Sequence, residues 1–455
     1  MTTLDRLRVT FASKRARALV LLTSSLALAP ACVAESWVTE LPAAAQQANE
    51  ACKAGQLEEC RTGVRRLIAL TDGRPDFLCK LARTEARLGA QPQALRDLAT
   101  CIRSGLAFDN LSTEPALDTL RASPRFAELQ AEATRLVAPA VDFSKRLVLT
   151  DPALIAEDLA YDPTDHSFYI SSVHERKIVR VAADGSVSDF LTAAQTPLWG
   201  VYAVAVDSER GILWATSSAG AESPPFDAVE DGKSAVLKFD LHSRTLLARY
   251  ELADGRPHGF GDVALEPGGA LLVSDGIDGG VYVVGPGSAG LRVVVAPGAM
   301  HSPQTPAPIP GTAQVLVPDY SRGIAVANLE GRAIRWLAHP PELALFGIDG
   351  LYLRGRTLIA VQNGTAPERV LLMTLDPSCS RITAWHTAVA RAPGLGEPTH
   401  AAFVGADLYL LVNSGWDRVS DAGVLSEAPV GTPAEIWKLR WTGPAALRAA
   451  SCPSR

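Results

Sequence analysis

The stretch Gly347–Asn363, GIDGLYLRGRTLIAVQN, sets an aspartate between an apolar residue and a glycine, where a buried strand begins. Charged groups are seldom sunk into apolar sequence unless something pairs with them. The same unit recurs along the chain: a polar start, a short apolar strand, a turn, then an apolar-aromatic strand ending in small or polar residues. The other copies are EDLAYDPTDHSFYISS from Glu157, YAVAVDSERGILWATSS from Tyr202, GDVALEPGGALLVSD from Gly261, SPQTPAPIPGTAQVLVPD from Ser302 and EPTHAAFVGADLYLLVNS from Glu397. Further strand-like runs follow each copy, among them KIVRVAADG, AVLKFDL and EIWKLRWTG. Copies about 42 to 60 residues apart have the spacing of four-stranded blades. Six of them predict an all-β six-bladed propeller over 141–455, C-terminal tail included.

Upstream, residues 35–140 read as helices. Apolar positions in CRTGVRRLIAL, DFLCKLARTEARLG and QALRDLATCIRSGL return every three or four residues, and Gly73-Arg74-Pro75 and Gly89-Ala90-Gln91-Pro92 punctuate them as turns. The expectation is a stack of antiparallel helix hairpins. Its ending, ALDTLRASPRFAELQAEATRL, resembles the tail of tetratricopeptide-type segments, in which a phenylalanine after a proline packs a last helix. The predicted fold class is α+β multidomain: a helical, tetratricopeptide-like unit, then the propeller.

The N-terminus reads as an export signal over 1–34. Five basic residues between Arg6 and Arg17 precede the apolar run ALVLLTSSLALA, and small-residue cleavage points follow Ala31 and Ala34. The run is too short to span a bilayer comfortably. A periplasmic, secreted or lipid-anchored protein is expected, with Cys32 as the candidate lipidated residue, although Ala29 stands where leucine is usual in such sites. Removing Cys32 from the seven cysteines leaves six, an even set compatible with three disulfides in an oxidising compartment. Cys79 and Cys101 fall on successive helices, Cys52 and Cys60 flank a turn, and Cys379 and Cys452 remain to pin the C-terminus. A net charge of −6 with 20% charged residues supplies no basic stripe, so nucleic acid is not an expected partner.

In a propeller the first strand of each blade lines the central channel, and strand-one starts, strand-two ends and blade-to-blade crossovers share one face. Glu157, Asp158, Tyr202, Asp262, Gln304, Asp349, Glu397 and Thr399 all fall at strand-one starts. Carboxylates converging on one axial point repel unless a cation or protons lie between them. Calcium, with six to eight oxygen ligands in flexible geometry, suits such a ring. The plain alternative is that these carboxylates cap backbone amides where strands enter turns.

Here the repeats gain a likeness. Residues 151–443 resemble the SMP-30/gluconolactonase/luciferin-regenerating-enzyme family of six-bladed propellers. EDLAYD stands where that family has a blade-one glutamate, GFGDVALEPGGALLVSD resembles its blade-three N-D-x-x-x-D-x-x-G segment, and GIDGLYLRGRTLIAVQNG resembles its blade-five P-D-G segment. The resemblance implies a divalent metal, calcium or zinc, held by Glu157 and Asp349, and hydrolysis of small lactones or esters. Two positions depart from the pattern. The blade-three asparagine is Gly261 with Asp262 beside it, and blade four offers only Gln304. The expected metal ligands are therefore Glu157, Asp262, Gln304 and Asp349.

Metal-assisted hydrolysis also needs a base to activate water. His258 before blade three, His301 before blade four and His400 within the start of blade six fall on the candidate face and are the catalytic candidates, although a histidine near a turn is often only a hydrogen-bonding residue. Two long loops, 219–233 and 415–434, project from that face as lids, and Trp199, Phe346 and Trp416 would line an apolar pocket or pack blade junctions. No GxSxG, paired acid site or phosphate loop occurs. Two functions follow: an exported metal-dependent lactone or ester hydrolase, or a non-catalytic scaffold whose helices and propeller face bind a protein or glycan partner.

Overall fold

The computed structural model describes residues 36–106, 111–136, 143–420, 422–426, 432–439 and 452. The expected export signal and Cys32 lie outside them. Five helices come first: α1 Ser36–Lys53, α2 Leu57–Leu70, α3 Pro75–Arg87, α4 Gln91–Arg103 and α5 Pro124–Leu136, with a 3-10 turn at Pro115–Leu120 before the last. α3 opens on a proline, whose missing N–H costs nothing in a first turn, and it buries Phe77, Leu81 and Ala82. Gly89 ends it at φ 77° while the Ala90 amide bonds back to the Glu85 carbonyl at 2.9 Å, the left-handed stop that glycine permits. Two apolar clusters hold the helices together, one around Val64, Leu67 and Phe77 and one around Leu98, Ile102, Leu117 and Phe126. Disulfides Cys52–Cys60 and Cys79–Cys101 staple this unit, and Cys379–Cys452 ties the C-terminal tail to blade five, all three as anticipated.

Six four-stranded antiparallel sheets follow. Blades one to five occupy 156–192, 200–250, 260–295, 307–336 and 348–390, each in chain order from innermost to outermost strand. Blade six is composite. Its three inner strands, Ala401–Val404, Asp407–Val412 and Glu435–Leu439, are completed by Phe143–Val148, from before blade one, which pairs antiparallel with Glu435–Leu439. This splice closes the ring by joining the segment before blade one to the last blade. Phe143–Val148 lies before the first copy of the repeat, at Glu157, and carries none of its pattern.

The innermost strands carry a shared irregularity at their start. Register shifts fall between Ala156 and Leu159, Val201 and Val204, Phe260 and Val263, and Ile348 and Leu351. A bulge leaves an amide unpaired and re-aims side chains. In blades one to three that amide (Asp158, Ala203, Asp262) donates to a buried hydroxyl on the second strand (Ser171, Thr216, Ser274) at 2.9, 2.9 and 3.2 Å. The bulges place Glu157, Tyr202, Gly261 and Asp349 at equivalent positions, with Asp158 and Asp262 one residue later. Before the blade-five bulge, Gly347 holds φ 65° with the Gly364 Cα 2.6 Å from where a Cβ would stand, so a larger residue cannot replace it.

The helical unit docks on blades four and five. Arg74, buried in the turn before α3, donates to the Ser321 carbonyl at 3.1 Å and lies 4.1 Å over the Phe346 ring. Arg369 of blade five donates to the Ser104 carbonyl after α4 at 2.8 Å, and Trp37 of α1 meets Trp336 of blade four edge-on at 5.8 Å. Ser321, Phe346 and Trp336 all belong to the crossover face, so the helices cover part of the face on which the axial carboxylates open.

Candidate functional site

Four blades converge at the axis. Glu157 of blade one, Asp349 of blade five and His400, just before the inner strand of blade six, bring one carboxylate or imidazole atom each within 4.8 Å of one another, and all three are buried. Asp262 of blade three joins them, its Oδ1 2.7 Å from His400 Nε2. Thr305, before blade four, donates its hydroxyl to the same Oδ1 at 2.9 Å, and Ser274 donates to Oδ2 at 3.3 Å. His400 Nδ1 lies 2.7 Å from the Glu157 carbonyl, which can only accept, so this nitrogen carries a proton and Nε2 is the atom turned toward the carboxylates. Asn363 donates to Asp349 Oδ2 at 2.6 Å and is itself held by the Tyr320 hydroxyl at 2.9 Å.

Electrostatics follow from this crowding in a dry place. Burial, with the Asp349 charge added, drives the Glu157 carboxyl well above its ordinary range. Burial is also the main cause that pushes Asp349 up to about 7 and Asp158 up to about 6. For His400 burial opposes the charge, but the carboxylates of Asp158, Asp349 and Asp262 outweigh it and hold the imidazole well above its usual value. Asp158 plays a different part from its neighbour. Its oxygens accept from the Leu159 amide at 2.7 Å and the Val204 amide at 2.9 Å, so it laces blade one to blade two.

The donor set fits a divalent ion. A histidine that metallates through Nε2 commonly has Nδ1–H fixed on a backbone carbonyl, the arrangement of His400. Carboxylates from three other blades face it. One imidazole among oxygen donors suits zinc and its transition-metal neighbours better than calcium, which takes oxygen throughout.

Of the other expected site residues, none joins this cluster. His258 sits between Asp275 at 2.7 Å and Asp254 at 2.9 Å. Burial opposes its charge, but those two carboxylates prevail and raise it to about 9, which makes it an ion-pair residue near neutral pH. His301 meets the Ser321 hydroxyl at 2.8 Å, and its amide is capped by Asp319. The Gln304 side-chain amide turns back to the Ser302 hydroxyl at 2.9 Å, and its neighbour Thr305 is the blade-four residue that reaches the axis. Thr305, Asn363 and Ser274 were not foreseen. The hydroxyls closing the second strands in ISS, TSS and VSD were the available signal for Ser274.

The described residues of the two long loops cover the site from the side of blades one, two and six. Trp416, buried, donates its indole N–H to the Glu157 carboxylate and stacks at 6.3 Å on Tyr202, whose hydroxyl donates to Glu222 of the other loop. Ile155, Val173 and Val419 complete an apolar plug around them. Trp199 instead donates to Glu230 at 2.9 Å, and Phe346 lies under Arg74.

No family model and no curated protein matches the chain. Among solved structures it is similar to a gluconolactonase from Xanthomonas campestris (18% identity, 67% of this chain and 92% of that one, TM-score 0.46). It is also similar to the PQQ-bound aldose sugar dehydrogenase from Streptomyces coelicolor (15%, 66% and 99%, 0.44) and to a virginiamycin B lyase from Staphylococcus aureus (13%, 65% and 98%, 0.44). The propeller assignment rests on the strand topology described above.

Proposed function

We propose that the protein is a divalent-metal-dependent hydrolase of small lactones or esters whose metal centre is Glu157, Asp262, Asp349 and His400. The observation that carries this is the meeting of the Glu157, Asp349 and His400 donor atoms within 4.8 Å of one another at a buried axial point. When bound, the ion would polarise a carbonyl and acidify water. The chain's own part is positional. The Glu157 carbonyl fixes the His400 tautomer, Asn363 orients Asp349, and Thr305 orients Asp262. Trp416 and Tyr202 keep bulk water from the carboxylates, which strengthens every charge interaction beneath them. Zinc is the ion this reading favours, with calcium the alternative.

One observation favours the second reading, an exported scaffold that binds a protein partner through its tetratricopeptide-like helices. Trp416 is bonded directly to Glu157, so the axis is closed in this state and a substrate needs that indole displaced. One experiment separates the two. The hydrolase reading expects a near-stoichiometric divalent ion by elemental analysis and chelator-sensitive hydrolysis of a lactone panel, both lost in Asp349→Ala. A metal-free protein whose melting ignores chelator and which turns over no lactone or ester overturns it.

A further inference from the structure

Two buried guanidiniums join the helical unit to the segment that carries Asp349, by separate routes. On the first, Arg74 lies over the Phe346 ring at 4.1 Å and donates to the Ser321 carbonyl at 3.1 Å. Tyr320, one residue before Ser321, accepts the Gly347 amide on its carbonyl at 2.8 Å. Its hydroxyl donates to Asn363, which in turn donates to Asp349. On the second, Arg369 donates to the Ser104 carbonyl of the helical unit at 2.8 Å and to the Gln362 side-chain oxygen at 2.7 Å. The Gln362 side-chain nitrogen then donates to the Ala344 and Phe346 carbonyls at 3.0 and 2.7 Å. Arg74, Arg369, Gln362, Ser321 and Phe346 are all buried.

Both routes meet at Phe346, one on its ring and one on its carbonyl, three residues before Asp349. Between the two residues the backbone turns at Gly347, with φ 65°, and the bulge between Ile348 and Leu351 takes Asp349 and Gly350 out of the ladder with the second strand. From the blade-four side the Thr305 amide meets the Asp349 carbonyl at 3.3 Å. The carboxylate itself faces the like charges of Glu157 and Asp262 in a dry place, a repulsion that drives it away from the axis. What opposes that repulsion from behind is the pair of routes back to the helices. Coupling between distant sites is carried by such chains of packed side chains and hydrogen bonds.

We propose that the helical unit braces the axial centre, with Arg74, Tyr320, Gln362 and Arg369 as positioning residues that hold Asp349 toward the axis. The inference rests on the metal centre proposed above and extends it to the helices, which supply no ligand of their own. Residues that orient a metal ligand from outside its shell change metal affinity about 10- to 100-fold. The docked helices would thus set how tightly the centre holds its ion.

Zinc titrated calorimetrically into the chelator-stripped full chain gives the first readout. Tyr320→Phe, which keeps the ring and loses the bond to Asn363, should weaken zinc binding about tenfold. Arg74→Ala should do the same, and Arg74→Lys should recover part of the loss. The second readout needs no metal: in chelator, hydrogen exchange of the amides of 344–351 should be at least about tenfold faster in Arg74→Ala than in the parent. If Arg74→Ala does not fold, Arg74→Lys and Tyr320→Phe are compared with the parent in both readouts. Parent-like zinc affinity in the folded variants overturns the brace and leaves the metal centre standing. A parent that binds no zinc overturns the metal centre instead; exchange in chelator then decides the brace by itself, and an unchanged rate overturns it.

Discussion

His400 Nε2 lies 2.7 Å from Asp262 Oδ1, although the two residues are 138 positions apart and belong to blades on different sides of the channel. The imidazole is the one basic group among four buried acids, Glu157, Asp158, Asp262 and Asp349, and without a bound ion it is their balancing charge. Removing one partner of a buried ionic network leaves the others unmatched. His400→Ala should therefore cost about 3–5 kcal/mol at pH 7 by urea denaturation in chelator, and less at pH 5, where Asp158 and Asp349 take up protons. A loss under about 1 kcal/mol would mean that the acids are already neutralised without it.

The same cluster sets the direction of the pH response. In the folded chain Asp158 titrates at about 6 and Asp349 at about 7, against about 3.9 when unfolded. Folding therefore holds protons that the unfolded chain releases. Stability from these groups is complete below about pH 4 and drains away as pH rises through 7. His400, also raised, acts in the same sense: its share is full below about pH 6.5 and is lost as pH climbs through its folded value. Calorimetry in chelator should show the melting temperature falling from pH 5 to pH 8. A bound divalent ion replaces the protons and should flatten that slope. A melting temperature that rises over this window in chelator contradicts the electrostatics of the axis.

Legibility in the sequence divided along a physical line. The six copies were readable because each blade repeats its own strand-turn-strand pattern locally, and Glu157, Asp262 and Asp349 stood out as charges inside apolar runs. The splice by Phe143–Val148 was not readable, because that strand has no repeat partner of its own and pairs across nearly the whole propeller. Blade four offered only Gln304 to the sequence reading, and the next residue, Thr305, reaches the axis instead, because a single residue of offset at a strand start reverses which side chain faces it. Asp158 looked identical in kind to Glu157, and only the amides of Leu159 and Val204 separate a lacing carboxylate from an axial one.

The three disulfides should differ in weight. Cys379 and Cys452 close 73 residues, whereas Cys52 and Cys60 close 8. Loop-closure entropy assigns about 4 kcal/mol to the former and about 2.5 kcal/mol to the latter. Cys379 also packs in the apolar cluster of blade five with Leu375, Ile382 and Cys452. In urea denaturation monitored on the propeller tryptophans, Cys452→Ser should lower the midpoint clearly, and Cys52→Ser should leave it nearly unchanged because that bridge lies in the helices. Equal shifts would indicate that the helices and propeller unfold as one unit.

Arg74 is one of the side chains that hold the helical unit on the propeller. Its guanidinium is clamped by Asp76 through two contacts of 2.8 Å, donates to the Ser321 carbonyl and covers both Phe77 and Phe346. Arg74→Ala removes a buried charge, which leaves Asp76 and the Ser321 carbonyl without their donor and opens space over two aromatic rings. An effect of about 2–4 kcal/mol is expected at that interface, while the blade cores, built on separate clusters, are untouched. Arg74→Lys keeps the charge but not the planar two-point clamp, so it should recover only part of the loss. Thermal unfolding should then separate into two transitions, the helices melting before the propeller, with near-ultraviolet dichroism reporting Trp336 released from Trp37. A single unshifted transition in Arg74→Ala would mean that Arg369 and the Trp37–Trp336 contact suffice to hold the helices in place.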